Sequence, residues 1–457
     1  MSLIEGMKDS SLGAIILYSF TKGYGSCEID LYDYILPLIY NDTFKRVVLH
    51  SETLEEALLK AVDGQPGFLL ELKGNLEKYA SATNQALGIL MLQNALEYRT
   101  SSGKTTAILK EAPYLDVNEA ISLGQLVKDN ETLLKNAFDW KPLKIGILDS
   151  NSIGQDIELS RFDDYGDFID YHNLVNLEGV AKDHDIIITN KVIMDETSLA
   201  DFDQLKLICV TATGYNNLDL DYLEDKGIAS CNVKGYSTKA VASHGLSLMM
   251  ALNNHLLYYD NFVKSKEYSS LNSFSHFSNT FYELDNKVLT IVGMGAIGQE
   301  MAKYATVLGM KVQYYSTSGL NSKQPYERVN FATALTTSDF ISINAPLNES
   351  TENLFDYQAF KKMKNSAYIV NVGRGKIINE ADLVRALNED EIAGAALDVF
   401  ENEPLPGNSC LFEVEDGNKL ILTPHIAWAP FETRQRVIDE IQKNIEAFLI
   451  GAKRNRL

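Results

Sequence analysis

The sequence predicts an α/β fold built on parallel sheets and preceded by a mostly helical front part. Three observations predict it. Beyond Trp140-Lys141-Pro142, short β-branched and apolar runs alternate with helical patterns, the signature of βαβ units. One of those runs ends in a glycine cluster that opens the next helix. The chain has 457 residues, room for about three domains, and residues 1–142 lack the alternation.

The front part reads as helices with one hairpin. Leu12–Ser19 and Ile29–Ile39 are helical patterns. Ser51–Val62 opens on a serine, with Glu55 and Glu56 in its first turns, where negative charge complements a helix start. Ser81–Ala95 is a further helix. Glu97–Lys110 reads as a hairpin about Ser101-Ser102-Gly103 and gives the region a winged-helix-like outline; Asn118–Val127 is again helical. Gly103-Lys104-Thr105 ends like a phosphate-binding loop, but the earlier glycine that such a loop needs falls on Tyr98. With 19 acidic and 13 basic residues, the region gives no support to DNA binding.

The second part reads as two sheets. Leu143–Asp149, Asp185–Thr189, Leu205–Thr211 and Ile228–Val233 form the first. One long helix is expected over Thr238–Val263, with Val241, Leu246, Leu248, Met249 and Leu252 on its apolar side. Lys287–Val292, Lys311–Tyr315, Phe340–Asn344, Ala367–Val372, Ala393–Val399 and Leu420–Leu422 form the second sheet, with helix patterns between most of them. Phe431–Ile450 is a terminal amphipathic helix.

Composition removes several function classes. The chain carries 41 basic and 62 acidic residues, a net charge of −21, which opposes a nonspecific nucleic-acid partner. Hydrophobic residues are 45% and charged residues 23%, ordinary globular values. No apolar run approaches the ~20 residues of a membrane span, and no leader pattern opens the chain. Cys27, Cys209, Cys231 and Cys410 are far apart in sequence and form no CxxC or metal-ligand cluster; they read as small buried hydrophobes in a reduced cytoplasm.

The chemistry-bearing residues sit where strands end. Gly293-Met294-Gly295-Ala296-Ile297-Gly298 is a GxGxxG sequence with a strand before it and the helix Gln299–Leu308 after it. Gly293 permits the tight turn, Gly295 lets backbone approach a pyrophosphate, and Gly298 allows close helix–strand packing. Free N–H groups at the helix start then hold the phosphates. The acid expected after the second strand of such a unit is missing: Tyr315 is followed by Ser316-Thr317-Ser318-Gly319, with Lys323 farther on. Nothing there repels a 2′-phosphate, so the choice between NAD and NADP stays open and tilts toward NADP. Arg374 stands between Gly373 and Gly375 after the strand Ala367–Val372, and its guanidinium fork suits a carboxylate. Asp398-Val399-Phe400-Glu401-Asn402-Glu403-Pro404 ends the next strand, and Thr423-Pro424-His425 ends the last. A histidine passes a proton to a carbonyl oxygen, and Glu403 beside it would fix its tautomer.

This set resembles the D-isomer-specific 2-hydroxyacid dehydrogenase family over residues 143–457. The sequence Thr211-Ala212-Thr213-Gly214-Tyr215-Asn216-Asn217 is similar to that family's substrate-side loop, and Gly235-Tyr236-Ser237-Thr238 to the entry of its interdomain helix. The resemblance implies a Rossmann-like dinucleotide domain, 238–426, inserted into a flavodoxin-like substrate domain, 143–237 and 427–457. It implies that Arg374 binds the substrate carboxylate, that His425 is the acid or base, and that Glu403 is its acidic partner. Ala296 and Ile297 would meet the pyrophosphate. Ser316, Ala345, Thr351, Val372 and Asp398 would line the cofactor site, and Ala212, Thr213 and Gly214 the substrate. A homodimer through the cofactor domain is the corresponding expectation. Leu31–Tyr40 and Thr83–Ala95 are similar to the middle component of bacterial three-component ABC-type systems, which implies a partner-binding front domain. Two functions follow: an oxidoreductase acting on a small 2-oxo or 2-hydroxy acid, or a dinucleotide-sensing scaffold with little turnover.

Overall fold

The computed structural model describes residues 10–93, 95–101, 104–110, 117–128, 130–319 and 323–457. The chain divides into two compact units, Met1–Lys234 with Gln435–Leu457, and Gly235–Arg434.

The first unit begins with α1 (Ser10–Tyr24), β1 (Cys27–Glu28), α2 (Tyr32–Tyr40), α3 (Asp42–Val48), α4 (Leu54–Gly64), α5 (Phe68–Leu92), β2 (Leu96–Ser101), β3 (Lys104–Leu109), α6 (Asn118–Lys128) and α7 (Glu131–Phe138). The hairpin β2–β3 forms as expected, and β1 joins it to give the strand order β1-β3-β2. Ser102 and Gly103, its expected turn, lie outside the described residues. Several helices differ from the sequence expectation: α1 runs on to Tyr24 rather than ending at Ser19, α7 was not expected, and two starts move. The Thr53 side chain caps α4 by accepting from Glu56 N–H at 3.1 Å, whereas the Ser51 hydroxyl donates back to Val47 O at 2.9 Å and belongs to the preceding turn. α5 runs 25 residues rather than starting at Ser81. Its first turn receives support from a distant residue: Leu69 N–H donates to Glu446 Oε1 at 3.3 Å.

The same unit continues with β4 (Leu143–Ile147), β5 (Gly166–Asp170), β6 (Ile186–Thr189), β7 (Leu207–Val210), α8 (Leu220–Asp225) and β8 (Ala229–Cys231). Among the described residues these strands form a five-stranded parallel sheet of order β5-β4-β6-β7-β8, the flavodoxin-like order. β5 escaped the sequence pattern because it is an edge strand whose residues alternate between half-buried and exposed. The expected crossover helices are mostly absent here; among the described residues, 3₁₀ turns and irregular chain join β4 to β5, β5 to β6 and β6 to β7. Cys209 and Cys231 face each other on β7 and β8 with their sulfurs 3.4 Å apart, an adjacency hidden by sequence distance, and both are free thiols.

The front region shares its core with the C-terminus. Ile450 and Ala452 are fully buried in the cluster that runs from Ala14 to Phe138. Lys73 donates to Trp140 O at 2.8 Å and lies 3.7 Å from its ring centroid, so the junction at Trp140 is held rather than loose.

The second unit carries α9 (Thr238–Asn253), α10 (Leu256–Lys264), β9 (Val288–Val292), α11 (Ala296–Val307), β10 (Lys311–Tyr315), β11 (Glu327–Arg328), α12 (Phe331–Thr337), β12 (Phe340–Ile343), α13 (Tyr357–Phe360), β13 (Tyr368–Asn371), α14 (Glu380–Asn388), β14 (Gly394–Leu397) and β15 (Leu420–Leu422). The chain then enters α15 (Phe431–Leu449). The described strands form a seven-stranded parallel sheet, β11-β10-β9-β12-β13-β14-β15, the doubly wound Rossmann-like order with its reversal between β9 and β12. The single helix expected over Thr238–Val263 is two helices. His255 takes φ 48°, a left-handed conformation that stops α9 and restarts the chain as α10. No described helix is long and apolar enough to cross a membrane.

Candidate active site

The glycine turn lies at the sheet's reversal point, where open α/β sheets bind ligands. Gly293 has φ 94°, and a Cβ on it would stand 2.7 Å from Ala345 N and Cα. A Cβ on Gly298 would stand 2.4 Å from Gly293 O. Both positions therefore require glycine. Gly295 differs: it precedes α11, is exposed, and a Cβ there would meet nothing within 4 Å. Open space thus lies at the start of α11, whose first N–H groups have no partner within the helix, which suits the pyrophosphate of a dinucleotide. Ser316 is buried just beyond β10, beside this turn, because Gly293 N–H donates to Tyr315 O at 3.0 Å.

Arg374 is the exposed residue of a buried loop after β13. The loop is tightly specified. Asn371 donates through Nδ2 to Arg374 O at 2.9 Å and accepts from Gly373 N–H at 3.0 Å. A Cβ on Gly375 would stand 1.9 Å from Phe400 C. The Arg374 guanidinium is anchored by Nη1 donating to Gly373 O at 2.8 Å. Tyr236 stands near it: burial pushes that phenol up to about 12, and the Arg374 charge pulls the other way. Trp428 packs against Tyr236 with centroids 6.3 Å apart.

His425 and Glu403 meet from different loops. His425 Nδ1 is 2.7 Å from Glu403 Oε2, while Glu403 Oε1 accepts from Phe400 N–H at 3.0 Å. Both side chains are about one-third exposed, at 38% and 33%. His425 has φ 54°, an uncommon conformation for a non-glycine residue. Asp398 holds that loop from beneath. Its Oδ1 accepts from Thr423 Oγ1 at 2.6 Å and Ile426 N–H at 2.9 Å, and its Oδ2 from Ala427 N–H at 2.9 Å. Burial alone would raise its pKa, but hydrogen bonds from His244, Thr423 and the two N–H groups outweigh that and hold it below the usual carboxylate range. Asp398 is 1% exposed, so its carboxylate is spent on the His425 loop.

The remaining expected residues fall in two places. Ala345 and Val372 are buried at the carboxyl ends of β12 and β13. Thr351 is fully buried; its hydroxyl donates to Pro346 O at 2.8 Å and accepts from Asn348 N–H at 2.8 Å, which shapes the loop after β12. Ala212, Thr213 and Gly214 belong to the first unit, after β7, where Asn232 Nδ2 donates to Thr213 O at 2.7 Å and Thr213 Oγ1 to Val233 O at 2.9 Å.

Comparison with known proteins matches this arrangement. Residues 246–427 fit the family model described as D-isomer specific 2-hydroxyacid dehydrogenase, NAD binding domain. A hydroxypyruvate reductase of Blautia hydrogenotrophica is 33% identical over 321 residues, which span 68% of this chain and 99% of that protein. The chain belongs to the D-isomer-specific 2-hydroxyacid dehydrogenase family.

Another relative in this dehydrogenase family is a glycerate dehydrogenase of Methylorubrum extorquens, 36% identical over 274 residues, covering 59% of this chain and 84% of that one. Among solved structures, an acyclic imino acid reductase in complex with NADPH and D-Arg is 27% identical, with a TM-score of 0.61, covering 69% of this chain and all of that one. Residues 2–124 match a different model, the Middle Component 3 of ABC-three component systems. Sequence reasoning missed His244, whose Nε2 lies 3.3 Å from Thr423 Oγ1 and 3.5 Å from Asp398 Oδ1. Its place in the helical pattern of α9 gave no sign of that.

Proposed function

We propose that this chain is an NAD(P)-dependent oxidoreductase that interconverts a small 2-oxo acid and its D-2-hydroxy acid, of the glyoxylate, hydroxypyruvate or D-lactate type. The observation that carries the reading is the 2.7 Å His425–Glu403 pair in the same unit as the exposed Arg374 and the glycine turn. A bound nicotinamide dinucleotide supplies or accepts the hydride. Arg374 binds the substrate carboxylate with its fork and polarises the neighbouring carbonyl. His425 gives a proton to the oxygen as negative charge develops there, and takes it back in the reverse direction. Glu403 accepts from Nδ1–H, which leaves Nε2 for the substrate. Ala212, Thr213 and Gly214 contribute the substrate-side loop.

The test is direct. The purified full chain, mixed with NADH or NADPH and a panel of 2-oxo acids, is expected to consume the dihydronicotinamide absorbance. Measured cofactor binding with no turnover on any acid would favour the sensing scaffold instead. The match of residues 2–124 supports a protein partner through the front region. A homodimer is proposed through the segment after α10, where Phe274 is 92% and Phe277 85% exposed; light scattering at several concentrations checks it. The cytoplasm is the proposed compartment, on the strength of four free thiols.

A further inference from the structure

We infer that Arg328, on the edge strand β11, reads the 2′-phosphate of NADP and makes that dinucleotide the preferred cofactor. This rests on the dinucleotide-binding reading above and deepens it. Two ordinary routes to cofactor choice are missing from this sequence: no acid ends β10 to accept from the ribose hydroxyls, and no arginine directly follows it. The fold supplies the cation from elsewhere.

β11 pairs in parallel with β10, placing Arg328 opposite Tyr314, and Val329 N–H donates to Tyr314 O at 2.9 Å. The chain that leaves β10 at Ser316 therefore runs beside the Arg328 side chain. Arg328 Nη1 donates to Gly319 O at 3.3 Å. Its Nη2 lies 3.7 Å from the point where a Gly319 Cβ would stand, and Gly319 has φ 74°. The guanidinium thus lies against a segment whose side chains before Gly319 are the hydroxyls of Ser316, Thr317 and Ser318. That segment adjoins the glycine turn through the Gly293–Tyr315 hydrogen bond. No described carboxylate pairs with Arg328, and Glu327, one residue earlier on the strand, points to the opposite face. A planar fork that donates to a backbone carbonyl next to a run of three hydroxyl residues fits a phosphate dianion and offers nothing specific to an unphosphorylated ribose.

The test measures binding rather than turnover, on the full chain. NADPH, NADH, 2′,5′-ADP and 5′-AMP are titrated against the unmutated protein, R328A, R328K and the control K323A. The expected result is that the unmutated chain prefers the 2′-phosphorylated member of each pair. R328A weakens NADPH and 2′,5′-ADP by about 10- to 100-fold, the scale of a lost charge-assisted bond, and leaves NADH and 5′-AMP within about twofold. R328K is expected to recover part of the loss, and K323A to change little. Equal binding of both members of each pair, or an R328A preference matching the unmutated chain, overturns the inference alone. Failure of every nucleotide to bind the unmutated chain overturns the cofactor reading and this inference with it.

Discussion

His425 and Glu403, 22 residues apart, are joined by a 2.7 Å contact between imidazole Nδ1 and carboxylate Oε2. A buried third residue holds the geometry, because Asp398 ties down the N–H groups of Ile426 and Ala427 just beyond the histidine. An imidazole fixed in this way presents its other nitrogen in one tautomer and direction.

His425→Gln is expected to keep cofactor affinity and lose about 10²–10⁴-fold in kcat, the usual scale of acid–base catalysis. Steady-state rates beside a cofactor titration check it. Unchanged turnover would remove His425 from its role.

Arg374→Met should raise KM for the oxo acid about 10- to 100-fold, from loss of a charge-assisted fork. Because its loop is held by Asn371 and the adjacent glycines, the folded state should survive. A thermal melt alongside the kinetics separates the two effects.

Gly375→Ala should be far more damaging to folding than Arg374→Met. Its new methyl would fall 1.9 Å from Phe400 C, a backbone atom that cannot rotate away. A loss at or beyond the upper end of about 1–3 kcal/mol for overpacking is expected, read as a lower denaturation midpoint.

Glu446 gives the first unit a pH dependence. It is 0% exposed, Tyr165 donates to its Oε1 at 2.6 Å, and its Oε2 has no hydrogen-bond partner among the described residues. Burial pushes it up to about 7 despite hydrogen bonds from Tyr165 and from the N–H groups that open α5. A raised folded pKa contributes stability that is complete below the unfolded value near 4.5 and is lost as pH rises through about 7. The contribution lost by pH 8 is about 3 kcal/mol. Glu446→Gln should flatten that slope and be the more stable form at pH 8. Urea titrations from pH 5 to 8, followed through Trp140 in a W428F background, check the sign.

Removal of residues 1–142 should destabilise the remaining chain rather than release an independent enzyme. Ile450 and Ala452 would lose the core that buries them, and Arg454 would lose its 2.7 Å bond to Asp63. Soluble yield and melting of the truncated chain, compared with the full one, measure this.

Six of the seven described strands of the second unit's sheet were legible; β11, an exposed two-residue edge strand, was not. Its central strands β9, β12, β13 and β14 are mainly apolar runs, as strands covered on both faces must be, and the glycine turn announces itself because backbone crowding at Gly293 and Gly298 leaves no alternative residue. The carboxylate and imidazole of Glu403 and His425 were legible as candidates for the same reason: each follows a strand of that sheet. What failed were features set by distant partners. The break at His255 depends on a left-handed residue that no local pattern marks, and the early start of α5 follows a cap from Glu446. Local sequence by itself determined the α/β class, the dehydrogenase family and the residues available for chemistry, because hydrophobic periodicity and motif spacing are written within short stretches of chain. Tertiary structure alone decided that the front region shares a core with the C-terminus, that Asp398 steadies the His425 loop, and that Arg328 reaches the segment after β10. The first two depend on packing across long stretches of chain, and the third on the pairing of β11 with β10.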